Sequence, residues 1–190
     1  MNAKSEQKAR THAEILRSAA DLIRARGIGA ASVANVMGRL GLTVGGFYAH
    51  FASKDALVIE ALDGVMTESW EALIERHRKK PVDQRIGAIV DGYLSVNHRD
   101  TETTGCPMPA IVSELPAQEV PVRKAFRASF QRQVKLFREA TQVDEDDALA
   151  GVALMVGALV LARATRGSEI SDRLLGTSRR AARRILGAKS

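Results

Sequence analysis

Cysteine is almost missing: the 190-residue chain has one, Cys106. An intrachain disulfide is therefore excluded, which fits a reducing compartment. Aromatic residues are scarce, at 4%. No segment alternates apolar and polar residues as a half-buried strand does. No internal repeat or low-complexity tract occurs. The longest uncharged run, Ala148 to Ala162, has fifteen residues, short of the roughly 20 that span a bilayer. The first residues, MNAKSEQKARTHAEI, lack the apolar stretch of a secretory signal. These absences predict a soluble, cytoplasmic protein with no membrane role. The four histidines (12, 50, 77 and 98) have no metal-ligand spacing with one another or with Cys106, so neither a metal nor a cofactor is expected.

What remains is rich in Ala, Leu, Val and Arg, and 45% of residues are hydrophobic. That composition favours helices over sheets. The net charge of +6 is unevenly spread. Residues 1–54 hold eight Lys and Arg against three Asp and Glu, residues 55–162 hold twelve against seventeen, and residues 163–190 hold eight against two. A basic N-terminal third suits a polyanion-binding module.

Helical periodicity and caps give about nine helices. Ile15, Leu16, Ala19, Leu22 and Ile23 mark one over 10–26, stopped by Gly27. Ser32 caps a short second helix ending at Gly41, and Thr43 caps a third running to about Phe51. Ser53 caps a long fourth helix. Further helices fit 83–97, a short proline-flanked segment after 107, 122–141, 144–166 and 171–186. The class is all-α, with a composition shift near residue 54 that separates a 1–54 module from a 55–190 domain.

The second and third helices, joined by a tight turn at Gly41, make a helix-turn-helix. Val36, Leu40, Leu42 and Phe47 would fix its angle, while Phe47 and Phe51 share the packed face of the third helix. Thr43, Tyr48, His50 and Lys54 are candidates for phosphate contacts, which set register without reading sequence.

The run "GLTVGGFYAHFASKDAL" resembles the signature of TetR-family transcriptional regulators at Thr43, Gly45, Tyr48, His50, Phe51, Ser53, Lys54 and Leu57. Gly27, Ser32, Gly41 and Leu42 agree as well. The resemblance covers residues 10–60. Met37 stands where alanine is usual, and Ile28 where an aromatic often follows the glycine. The resemblance implies an N-terminal three-helix DNA-binding domain followed by a helical effector-binding and dimerisation domain. It implies a homodimeric regulator, expected to be a repressor, that binds a palindromic operator in double-stranded DNA and leaves it when a small-molecule effector binds. The DNA-contacting set would be Ser32, Asn35, Thr43, Val44, Gly45, Gly46, Tyr48, His50 and Lys54. Val44, Gly45 and Gly46 give the third helix an almost bare start, so base reading would rest on a thymine-methyl contact from Val44, on Tyr48 and on DNA shape.

Beyond residue 60, Met66, Trp70, Tyr93, Met108, Phe126 and Phe130 are candidates for an effector pocket, against the alternative that they form ordinary core. Cys106 precedes Pro107 at an expected helix start, where the N-terminal dipole would favour its thiolate. Some TetR-like regulators with a Gly-Cys pair here are thiol sensors, so a redox- or electrophile-sensing repressor acting through Cys106 is the alternative reading. A helical enzyme using Tyr93, His98 and Cys106 is a further alternative, but the sequence holds no matched catalytic set and no enzyme is expected. Leu154, Gly157, Ala158 and Leu161 recur at three- and four-residue spacing and are candidates for a dimer interface. The Arg179, Arg180, Arg183 and Arg184 run reads as a solvated face.

Overall fold

The computed structural model describes residues 3–101, 103 and 105–188. Among them are helices and connecting turns, with no strand. The element order is α1 (Ala3–Arg26), α2 (Val33–Arg39), α3 (Val44–Phe47), α4 (Lys54–His77), α5 (Val82–Tyr93), α6 (Val96–Asp100), α7 (Met108–Ile111), α8 (Val120–Thr141), α9 (Glu145–Ala164) and α10 (Glu169–Ile185). Short 3₁₀ turns occupy Ile28–Ala30 and Leu115–Ala117. All nine expected segments are helical. The one expected over 83–97 is divided, because α5 stops at Tyr93 and Ser95 accepts from the His98 N–H to cap a separate α6. Helix α1 starts earlier than its apolar pattern suggests, since residues 3–10 are exposed throughout and carry no buried stripe.

Local chemistry sets the boundaries of the N-terminal module. Ser32, Thr43 and Ser53 each adopt extended backbone and accept from the N–H three residues on, satisfying one donor at each helix start. Gly27 and Gly41 have φ of 85° and 67°, a region that disfavours side chains and ends helices. Ile15, Ala19, Leu22 and Ile23 of α1 pack with Val36, Met37, Phe47 and Phe51 in a continuous buried core. The Ser18 hydroxyl donates to the Val36 carbonyl at 3.3 Å, tying α1 to α2. Helix α4 starts at residue 54 and runs unbroken for 24 residues, so it carries the first module directly into the rest of the chain. It packs against α1 on one side and along α8 on another.

The larger part is built on α4 with α8 and on α9 with α10. Trp70 of α4 is sandwiched between Tyr93, with ring centroids 5.5 Å apart, and Phe137, edge-on at 5.7 Å. Arg99 is buried and bonds Asp100, Ser171 and Asp172, fastening α6 to α10. Helix α9 is long and apolar enough to cross a membrane by length and composition. One face of it, with Ala148, Val152, Met155, Leu159 and Ala162, is buried within the chain, and Glu145, Asp146 and Asp147 occupy its first turn, where the dipole favours them.

The small residues of α9 divide between a packed face and an open one. Gly151 faces α10, where a Cβ would lie 2.7 Å from Leu186. Ala158 is likewise buried within the chain, whereas Leu161 is 54% exposed. Gly157 is exposed, with open space where a side chain would be, and Leu154 is half-buried. Of the four candidate interface residues, Ala158 is therefore used inside the chain, and the outward face is carried by Gly157 and Leu161. In the arginine run of α10, Arg183 pairs with Asp91 of α5 and lies against Gly87. It is an intrachain clamp, not a solvated charge.

Candidate DNA-binding surface and effector cavity

Helix α3 is a single turn of four residues, shorter than its pattern predicts, followed by turns through His50. Phe47 is its only buried side chain. Its ring stacks on Phe51 at 5.5 Å and meets Tyr48 edge-on at 5.2 Å. These contacts turn Thr43, Val44, Gly45, Gly46 and Tyr48 outward. Tyr48 is 64% exposed and Val44 48%. Lys54 is exposed at the first position of α4, where the positive end of the dipole disfavours a cation.

The two glycines of α3 are not demanded by the fold. A Cβ on Gly45 would meet nothing within 4 Å, and one on Gly46 would make only ordinary contacts with Thr43 and Met37. Neither has positive φ. Alanine would stabilise the helix by up to about 1 kcal/mol at each position, so the bareness of this surface has no internal cause.

The other expected contacts differ in their freedom. Thr43 Oγ1 accepts from Gly46 N at 3.3 Å, which leaves its hydroxyl hydrogen available as a donor. Ser32 likewise caps α2 through Asn35 N at 3.2 Å. The Asn35 side chain is partly committed, its Nδ2 donating to the Ala30 carbonyl at 3.0 Å. His50 is half-buried with Nδ1 turned inward. Burial, then His12 and Lys8, lower its pKa, so at neutral pH it offers a neutral ring and not a cation. Beside it, the His12 ring stacks on Phe51 at 4.3 Å and reaches Glu60 at 3.0 Å.

In the larger part, a cavity of about 180 Å³ lies among Trp70, Leu73, Tyr93, His98, Gly105 and Cys106. Tyr93 Oη and Trp70 Nε1 are both buried and make no hydrogen bond of normal geometry. Both approach the Cys106 sulfur, as does the Met108 backbone N–H, and all three favour its thiolate. Burial outweighs them and pushes the thiol above its ordinary value. Burial, with Cys106 adding to it, also holds the Tyr93 phenol well above its own. The thiol thus departs from the expectation of a thiolate stabilised by a helix start. The N-cap is Pro107, α7 has four residues, and desolvation dominates.

His98 is locked as a neutral ring. Its Nε2 accepts from Cys106 N at 2.9 Å, so Nδ1 carries the hydrogen and donates to the Tyr93 carbonyl at 2.6 Å. Burial lowers its pKa in the same sense. The Nε2 lone pair is therefore occupied by a backbone N–H and does not activate the thiol. The ring presses on Gly105, where a Cβ would lie 2.6 Å from it. Iodoacetamide should therefore alkylate Cys106 more slowly at pH 7.5 than a free cysteine. The rate should keep rising with pH past 9, because only the thiolate reacts. Mass spectrometry of this single thiol from pH 7 to 10 measures this, and a plateau below pH 8 would contradict it.

The six candidate pocket residues do not share one cavity. Trp70 and Tyr93 line the small polar one, and Met66 is buried in the core and lines neither. Met108, Phe126 and Phe130 instead line an open apolar groove of about 540 Å³ between α7, α8 and α9, which continues to Gly157 and Leu161. Sequence reasoning missed His98 as the partner of Cys106 N and Glu114 as a partner of Gly29 N. Neither carries a spacing signal.

The sequence profile of the bacterial regulatory proteins of the tetR family matches residues 15–61. No curated protein matches the sequence. Among solved structures, Escherichia coli NemR in its reduced form is 19% identical with a TM-score of 0.80, covering 95% of this chain and 99% of that one. A TetR-family transcriptional regulator from Agrobacterium tumefaciens is 22% identical with a TM-score of 0.75, covering 94% and 98%. A TetR transcriptional regulator from Chloroflexus aurantiacus is also 22% identical with a TM-score of 0.75, covering 97% and 98%. At these identities the structural likeness establishes the fold.

Proposed function

We propose that this chain, whose residues 15–61 match the tetR-family regulatory profile, is a cytoplasmic, homodimeric DNA-binding repressor of that family, released from a palindromic operator by a small effector. Residues 1–54 are the DNA-binding module and 55–190 the effector-binding and dimerisation domain. Two copies of α3 enter successive major grooves, about 34–36 Å apart or a multiple of that. Thr43, Tyr48, His50 and Lys54 hold phosphates, and Val44 faces the bases. The outward face of α9, with Gly157 and Leu161, supplies part of the dimer contact. The chemistry is binding, without turnover.

The observation that carries this reading is the bare start of α3, exposed and free of any internal need for glycine. A backbone stripped of side chains can approach bases closely. Gly45→Ala should therefore stabilise the protein by up to about 1 kcal/mol while weakening operator binding severalfold. Chemical denaturation and fluorescence anisotropy on operator fragments selected with the purified protein measure the two effects. Stability and affinity rising together would sink the assignment.

For the effector, the Trp70–Tyr93–Cys106 cavity is favoured over the apolar groove. Its two buried donors have only the weakly accepting Cys106 sulfur within reach. A ligand bearing a carbonyl or similar acceptor would give them a stronger partner. A cavity near 150 Å³ holds benzene, so 180 Å³ admits a compact molecule. A state that binds it better and holds the two α3 helices at another spacing would make effector and DNA antagonists.

A second reading uses the same cavity, with Cys106 itself as the sensor. The trio of donors directed at its sulfur favours it. Alkylating Cys106 should then release operator DNA from the wild-type protein and not from Cys106→Ser. Equal responses would dismiss it.

A further inference from the structure

We propose that Glu114 is a positioning residue for DNA binding, latching the turn between α1 and α2 onto the segment that leaves the Cys106 cavity. This deepens the effector reading given above and rests on it for the link to the cavity.

The turn and the latch fit each other closely. Gly27 ends α1 at φ 85°, and Gly29 N–H donates to Glu114 Oε2 at 2.7 Å across 85 residues of sequence. A Cβ on Gly27 would lie 1.7 Å from Glu114 Oε1 and 2.8 Å from the Ala110 carbonyl. The carboxylate thus occupies the space a side chain at 27 would need. A carboxylate accepting a backbone N–H makes a charge-assisted bond, stronger than a neutral one.

Both ends of this contact lead to functional groups. On one side, the Met108 N–H approaches the Cys106 sulfur, α7 begins there, and Glu114 N bonds the Ile111 carbonyl at 3.0 Å. Seven residues lie between Cys106 and Glu114 in sequence. On the other side, the Ala30 carbonyl accepts from Asn35 Nδ2 at 3.0 Å, carrying the turn into α2. The turn after α2 then sets α3. Helix α7 also packs on α1. A shift of α7 in response to cavity contents would thus reach the DNA-binding module through this carboxylate as well as through the α7–α1 packing. A route of contacts becomes coupling only when both ends bias it, so both ends must be measured.

The test uses the full-length protein, selected operator DNA and methyl methanethiosulfonate, which converts the single thiol to a methyl disulfide and releases methanesulfinate. In Glu114→Ala, amides of residues 27–31 should exchange hydrogen at least tenfold faster, with the remaining helices unchanged. Operator affinity should fall at least fivefold. Glu114→Gln, which keeps an acceptor and the shape, should restore part of both and guards against a misfolded alanine variant. Methylthiolation of the thiol should release wild-type protein from DNA and shift the affinity of Glu114→Ala severalfold less. Unchanged exchange and affinity in Glu114→Ala would overturn the proposal, as would equal release of both proteins by methylthiolation. Faster exchange and weaker binding in Glu114→Ala, with wild-type protein indifferent to methylthiolation, would support the latch and discard the cavity reading alone.

Discussion

Raising monovalent salt from 50 to 200 mM should weaken operator binding by about a thousandfold. A protein that neutralises six phosphates loses roughly that much, because each contact releases condensed counterions. Three cations per protomer suffice, and Lys8, Arg39 and Lys54 are exposed on the basic N-terminal module. Arg24 is a poorer candidate, being largely covered and paired with Glu68. Point variants sharpen the test. Lys54→Ala should reduce the magnitude of the log–log salt slope by about two for the dimer, close to one per subunit. Tyr48→Ala should weaken binding and leave the slope unchanged, because a phenol hydrogen bond to phosphate releases no counterion. Anisotropy titrations at four salt concentrations distinguish these cases. A flat salt response would remove the phosphate contacts from the interface altogether.

Phe47→Ala should destabilise the protein by about 3–5 kcal/mol, the usual range for truncating a buried phenylalanine. The ring is fully buried and stacked on Phe51, and it is the only side chain that α3 contributes to the core. A four-residue helix has no stability of its own, so this ring holds the whole DNA-facing turn. Operator binding should disappear, while sedimentation should still show the proposed dimer, since α9 does not depend on Phe47. Denaturant melts give the free energy. A loss below 1 kcal/mol would mean that the turn is held by its caps alone.

The two parts of the chain differ in how much of this the residues announce. Ser32, Thr43 and Ser53 cap the helices they precede because a hydroxyl acts within three residues. Gly27 and Gly41 stop helices because positive φ is a property of one residue. The helix-turn-helix is therefore legible almost entirely from local chemistry. The cavity is not. Phe126 and Phe130 share a stripe with core residues, yet face a groove separate from Trp70 and Tyr93, since a helical stripe does not say which neighbour covers it. The thiol behaves against its local signal because desolvation is a property of the whole surroundings. Glu114 meets Gly29 across the fold, where no spacing rule reaches.

The near-absence of side chains on α3 leaves Val44 as the one apolar group projecting from its first turn. A methyl-to-methyl contact with thymine would then carry much of the base preference. The 5-methyl group of methylated cytosine sits at the same place in the major groove. Such a reader would respond to the methylation state of the DNA as well as to its sequence. Replacing thymine by uracil in each half-site would remove the contact, and methylating a cytosine at the same step would restore it.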